Sequence, residues 1–451
     1  MRAVSSAAFN LTHLLVSLSS EFGMLQFLGS AGQRFCDGVS RREMLKIGAF
    51  GATLTLADAM RAQAAAKKQD TSSRAMKSAI FIYLPGGPSH LDMYDLKPDA
   101  PVEIRGDFKP ISTNVPGVQI CEHFPMQAKM FDKLAVVRSL TSVDEHSDSL
   151  VTTGYPDRVN VTAGHPSFGS VISKLRTESS GAVPPFVSLR GMSRGTEPGY
   201  LGVSHRPFTP SGPGNSNLKL ANGVNSDRLD NRRNLLESFD DTRREIDASG
   251  TMVGIDSYTE RALEMVSSGV VRNALNIEKE DAKVRERYKG VEQFLTARRL
   301  IEAGVGFVTL SIGGWDTHSG NFTTLKKQLP KVDQAIANLI QDLHDRGMQD
   351  DVVTVMWGEF GRTPKVNMNA GRDHWSPAMG ALVAGGGLKM GQAVGATNAK
   401  GERPKDRAYT VPQVMSTLYR AIGIDPAMTF PNGAGRPMYV LDDREPVKEL
   451  L

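Results

Sequence analysis

The sequence predicts an α/β fold built on a mostly parallel sheet with helices on both faces. Short unbroken apolar runs recur along the chain, helical stretches with glycine stops separate them, and residues able to bind metals or substrates stand just after the runs. Alternation of this kind is the pattern of parallel strands joined by crossover helices, and in such sheets sites lie at the carboxyl ends of the strands.

The first run, Ala79-Ile80-Phe81-Ile82-Tyr83-Leu84, ends in Pro85-Gly86-Gly87-Pro88, as a strand buried on both faces opens into a loop. The form returns at Leu134-Ala135-Val136-Val137-Arg138, Phe186-Val187-Ser188-Leu189, Val305-Gly306-Phe307-Val308-Thr309-Leu310, Val352-Val353-Thr354-Val355-Met356-Trp357 and Ala381-Leu382-Val383-Ala384. Residues 288–303 read as a helix stopped by Gly304, and residues 325–344 as one stopped by Gly347. From 211 to 286 a Gly/Pro/Asn-rich opening gives way to charged helical segments around 228–246 and 257–275, with Ser257-Tyr258-Thr259-Glu260 as a capping box. This region is expected to be a helical insertion, a cap over the sheet, within an α/β domain spanning 75–451.

The amino end carries a different signal. Ser40-Arg41-Arg42-Glu43-Met44-Leu45-Lys46 stands directly before a mildly apolar run, 47–60, and Ala62-Gln63-Ala64 supplies a small-x-small cleavage site. Residues 40–64 therefore read as a twin-arginine export signal, with the twin-arginine translocase as partner during export and the periplasm or the exterior as destination. The apolar run is about half the ~20 residues a spanning helix needs, so no transmembrane anchor is expected. Residues 1–39 read as a doubtful extension, and Met24 makes a better start than Met1.

Composition narrows the function classes. A formal net charge of +4, with no basic tract interleaved with aromatics, argues against a nucleic-acid partner. Of the two cysteines, Cys36 lies ahead of the cleavage site, which leaves Cys121 alone and excludes a disulfide framework or a thiolate metal site.

The loops after the runs hold the chemistry. Ser89-His90-Leu91-Asp92 follows the first, Asp144-Glu145-His146-Ser147-Asp148-Ser149 the second, Gly313-Gly314-Trp315-Asp316-Thr317-His318 the fourth and Gly358-Glu359-Phe360-Gly361-Arg362 the fifth, while Arg372-Asp373-His374-Trp375 precedes the sixth. Carboxylates and imidazoles without thiolates suit Zn²⁺, Mn²⁺ or Ca²⁺, as one ion or two. Other roles stay open at this stage. Asp316 and Asp92 could each cap a helix, His318 and His374 could be ordinary loop histidines, and Glu359 could pair with Arg362 instead of a metal.

These motifs, with Gly435-Arg436-Pro437 and Glu445-Pro446-Val447 near the end, resemble an exported bacterial family known as domain of unknown function 1501. The resemblance implies an alkaline-phosphatase-like and sulfatase-like fold and a metal-dependent hydrolase of sulfate or phosphate esters. It implies further that Gly358-Glu359-Phe360-Gly361 takes the place of a strand ending in Asp-His-Gly, with Phe360 where a ligand histidine would stand. Asp316, His318 and His374 then match ligand positions. Thr153-Gly154 resembles a pair that follows the sulfatase nucleophile, which directs attention to residues 144–147, although no Cys-x-Pro-Ser-Arg is present.

The expected metal set is Asp316, His318, Glu359 and His374, supported by His90 and Asp92. Ser147 is the expected nucleophile, with simple N-capping as its alternative; His146 stands beside it and could serve as a ligand. Arg362 is expected to neutralise an anionic ester, with sulfated or phosphorylated glycans as the substrate class. The alternative is an exported binding protein that keeps the fold without turnover.

Overall fold

The computed structural model describes residues 77–177, 183–193, 195, 197–210 and 268–451, together with two short strands, Val16–Leu18 and Leu25–Phe27, which pair antiparallel. The chain divides into units 1–75 and 76–451, and the second carries everything below. The arginine pair, the cleavage site, Met24 and residues 211–267 of the expected insertion, with its capping box, lie outside the described residues. The remainder of that region holds two short helices, Val270–Leu275 and Ala282–Arg287.

Among the described residues eight strands form the central sheet: β1 Ser78–Tyr83, β2 Ala135–Thr141, β3 Phe186–Ser188, β4 Phe307–Ser311, β5 Val352–Trp357, β6 Met379–Gly385, β7 Gln392–Val394 and β8 Tyr409–Thr410. Their order is β7-β2-β6-β5-β1-β4-β3, with β8 also paired to β2. All the pairings are parallel except those of β6, which runs against both β2 and β5. The six apolar runs of the sequence are six of these strands, β1 to β6.

Alternation along each strand sends side chains to opposite faces. Ile80 and Ile82 join Val308 and Leu310 in a core under helices α3 (Glu292–Glu302) and α4 (Asn321–Asp345). Ala79, Phe81, Phe307, Val353 and Val355 build a second core under α2 (Phe168–Arg176) and α5 (Val411–Ala421). Because both faces are covered, the strands read as continuous apolar runs and do not alternate with polar residues. A shorter helix, α1 (Ser149–Thr153), follows β2.

The reversed direction of β6 matters for function. Its first residue, Met379, pairs with Leu140 near the end of β2. The segment leading into β6 therefore lies at the same edge as the loops that leave β1, β2, β4 and β5, and His374 joins residues that follow the parallel strands. Among the described residues no helix is long and apolar enough to cross a membrane.

Candidate metal centre and adjoining cleft

Asp316 reaches this edge on the loop after β4. Trp315, buried, donates its indole N–H to the Ile312 carbonyl at 2.7 Å and fixes the turn. The loop runs tightly against Gly86, whose φ is +101° and where an added Cβ would lie 2.7 Å from the Asp316 nitrogen. Only glycine tolerates both that conformation and that approach. After β5, a short hairpin pairs Gly361 with Trp375 and Arg362 with His374. It brings Arg362 and His374 to Asp316 from the other side.

Three predicted ligands converge. Asp316 Oδ1 is 2.9 Å from His374 Nε2 and 3.0 Å from His318 Nε2, and the two Nε2 atoms are 3.1 Å apart. Donors at about 2.0–2.1 Å from a tetrahedral ion would stand roughly 3.3 Å from one another, so the cluster has nearly the spacing a single ion requires. These are also the described residues whose ligand atoms group within 4.8 Å. Burial raises the Asp316 pKa, but hydrogen bonds from Arg362 and His374 and the nearby positive charge outweigh it and bring it to about 2. Burial lowers the His374 pKa, with a hydrogen bond to Asp316 acting against it. Both shifts favour the forms that bind cations: a carboxylate and a neutral imidazole. His318 Nδ1 lies 2.7 Å from Asp373 Oδ1, which leaves Nε2 facing Asp316 and His374.

The other expected residues are placed differently. Arg362 does not face an anionic ester: its side chain is fully buried and its guanidinium donates to the carbonyls of Gly86, Gly87 and Arg372 and, at 2.5 Å, to Asp316. With its donors committed, Arg362 holds the loops together. Asp92 is not brought to the cluster either; fully buried, it pairs in two-pronged fashion with Arg372 at 2.8 and 3.0 Å and accepts from Asn321 at 2.9 Å. His90 is buried with Nε2 2.8 Å from the Gly401 carbonyl, and burial lowers its pKa. Its fixed ring belongs to the packing beneath the site.

Glu359 also stands apart from the trio. Its Oε1 accepts from the Gly86 amide at 2.8 Å and pairs with neither Arg362 nor the ligand cluster, while Oε2 is buried with no hydrogen bond of normal geometry among the described residues. Glu359 lines a cleft of about 410 Å³ together with Tyr83, His146, Ser147, Asp148 and Arg190. His146 connects cleft and trio: its ring centroid is 4.2 Å from that of His374 and 5.4 Å from that of Phe360. Phe360 itself lies 4.3 Å from the His374 ring and supports it without offering a ligand atom. Ser147 Oγ accepts from the Ser149 amide at 3.2 Å, so it closes a local turn while its residue borders the cleft.

Arg190 and Asp373 escape a reading of the sequence alone. Arg190 pairs with Asp148, and its guanidinium lies 4.4 Å over the Tyr83 ring. Its only sequence signal is position, one step after a buried strand run. Asp373 stands inside a motif already conspicuous for His374, but its partner His318 is 55 residues away.

Fold and site thus define an α/β protein with a carboxylate–imidazole cluster at the carboxyl edge of a mostly parallel sheet. The chain belongs to the family described as "Protein of unknown function (DUF1501)", which matches residues 76–451. No curated protein matches. Solved structures similar to this chain include a protein in the alkaline phosphatase superfamily from Vibrio parahaemolyticus (10% identity, 78% of this chain and 68% of that one, TM-score 0.35). Others are a sulfatase from Pseudoalteromonas sp. (12%, 86% and 72%, 0.35) and a phosphonate monoester hydrolase from Silicibacter pomeroyi (11%, 78% and 74%, 0.35). Similarity at this level says nothing of substrate or chemistry.

Proposed function

We propose that this protein is an exported, metal-dependent hydrolase of sulfate or phosphate esters. The observation that carries this is the convergence of Asp316, His318 and His374, from two distant loops, at ligand spacing. Two imidazoles and one carboxylate suit Zn²⁺ or Mn²⁺ better than Ca²⁺, which prefers oxygen ligands, and three protein ligands leave room for a substrate oxygen. A bound cation would supply Lewis-acid polarisation of the ester oxygens and offset charge that builds up on them. Asp373 holds His318 in the ligand tautomer, and Arg362 fixes Asp316 against the β1 loop. Ser147 borders the cleft as nucleophile, with His146 beside it as proton acceptor. The cation facing the ester within the cleft is Arg190, shared with Asp148, in the role expected of Arg362.

A second reading, a binding protein that retains the fold without turnover, is favoured by one observation: the Ser147 hydroxyl oxygen is already engaged by the Ser149 amide. Turnover separates the two. Purified protein stripped of metal and then reconstituted with Zn²⁺ or Mn²⁺ should hydrolyse members of a panel of aryl phosphates and sulfates, and Ser147→Ala should abolish this. Metal bound at the trio with no hydrolysis of any ester favours the binding protein.

A further inference from the structure

We infer that Glu359 is the proton donor to the leaving group in the adjoining cleft and not a metal ligand. This rests on the ester-hydrolase function proposed above. Glu359 is 6% exposed, one oxygen is anchored by the Gly86 amide, and the other is buried without a hydrogen bond of normal geometry among the described residues. A buried carboxylate whose second oxygen has no well-formed hydrogen bond is costly to ionise, and a proton relieves the cost most simply. The surroundings point the same way: Asp148 lies near enough to disfavour a second negative charge, and the positive charge of Arg190 is committed to Asp148. Burial raises the Glu359 pKa and Asp148 adds to the rise, against the lowering effects of its own amide, the Gly86 amide and the Tyr83 hydroxyl. A carboxylic acid kept neutral by its setting, bordering the cleft that holds the nucleophile, has the attributes of a general acid.

Ser147 Oγ forms a bond to phosphorus or sulfur and passes its proton to His146. The ester bond breaks with its electron pair on the leaving oxygen, which takes the proton of Glu359 and departs as an alcohol. Water then attacks the esterified Ser147, giving its proton to the Glu359 carboxylate, while His146 returns the first proton to the Ser147 oxygen. Phosphate or sulfate is released and every group is back in its starting state.

Glu359→Gln keeps the size of the side chain and the acceptor for the Gly86 amide but cannot donate an acidic proton. Its metal content should equal that of the wild type, since Glu359 lies outside the trio. Release of the alcohol in the first turnover should slow about 10²-fold or more with alkyl esters, whose leaving oxygens need a proton, and far less with nitrophenyl esters, whose leaving groups do not. Independently of turnover, the infrared spectrum of the wild type at neutral pH should contain a protonated-carboxyl carbonyl band that Glu359→Gln lacks. Loss of metal in the variant, equal loss on both ester classes, or absence of the band overturns the inference. A wild type that binds no metal and hydrolyses no ester contradicts the underlying function instead, and the infrared band still decides the protonation of Glu359.

Discussion

His318 is held from behind by Asp373: its Nδ1 lies 2.7 Å from Asp373 Oδ1, while its Nε2 stands 3.0 Å from Asp316 and 3.1 Å from His374. A carboxylate on the far nitrogen of an imidazole fixes ring orientation and tautomer and makes the near nitrogen a stronger ligand. Asp373→Asn should therefore weaken metal binding by about 10–100-fold without altering the fold. Competition titration against a chromogenic chelator measures this. Unchanged affinity means that Asp373 is only a surface partner of His318.

Two buried arginines separate structural from functional roles. Asp92→Ala strands the fully buried Arg372 and should cost about 3–5 kcal/mol, as breaking a buried pair does. Arg362→Ala leaves the carbonyls of Gly86, Gly87 and Arg372 without their donor, at roughly 1–3 kcal/mol for each acceptor that stays buried. Chemical denaturation should show both variants destabilised, and the folded Asp92→Ala protein should still bind metal. A stable Asp92→Ala protein without metal would return Asp92 to the ligand set.

The sheet was largely legible because strands covered on both faces are continuous apolar runs; Ala79 to Leu84 announces β1 within one residue at each end. The antiparallel direction of β6 was not legible, since an apolar run has no arrow. Asp316, His318 and His374 were findable because each follows or precedes such a run. Asp92 misled because its partner Arg372 is 280 residues away, and a carboxylate after a strand looks the same whether an arginine or an ion awaits it. Arg362 misled for a related reason: besides Asp316, its acceptors are main-chain carbonyls, which carry no residue-type signal. Arg190 became visible only when folding placed it over Tyr83.

Glu359 gives the stability a definite pH dependence. Its pKa is raised in the folded protein, chiefly by burial, so between the ordinary glutamate value and the raised one the native state holds a proton that the unfolded chain releases. Stability should fall as pH rises through that window, because there the native state binds more protons than the unfolded one. Metal-free wild type and Glu359→Gln, melted at a series of pH values, should differ in slope, the variant being flatter. Parallel curves contradict the assignment.

The proposed export rests on Arg41 and Arg42, which stand in the sequence before an apolar run and an expected cleavage site. Arg41→Lys with Arg42→Lys should leave precursor in the cytoplasm, because the pair is read by a receptor and not by charge alone. Fractionation and immunoblotting follow it. Periplasmic accumulation at the wild-type level removes the twin-arginine assignment.

The central claim is that Asp316, His318 and His374 hold one divalent ion, and metal stoichiometry tests it most directly. Elemental analysis of wild-type protein after equilibrium dialysis against Zn²⁺ or Mn²⁺ should find about one ion per chain, and His318→Ala should lose it, since two remaining protein ligands make too weak a cage. A wild type that retains no metal after dialysis against Zn²⁺, Mn²⁺ and Ca²⁺ in turn, or a His318→Ala protein that binds as tightly as the wild type, contradicts the account.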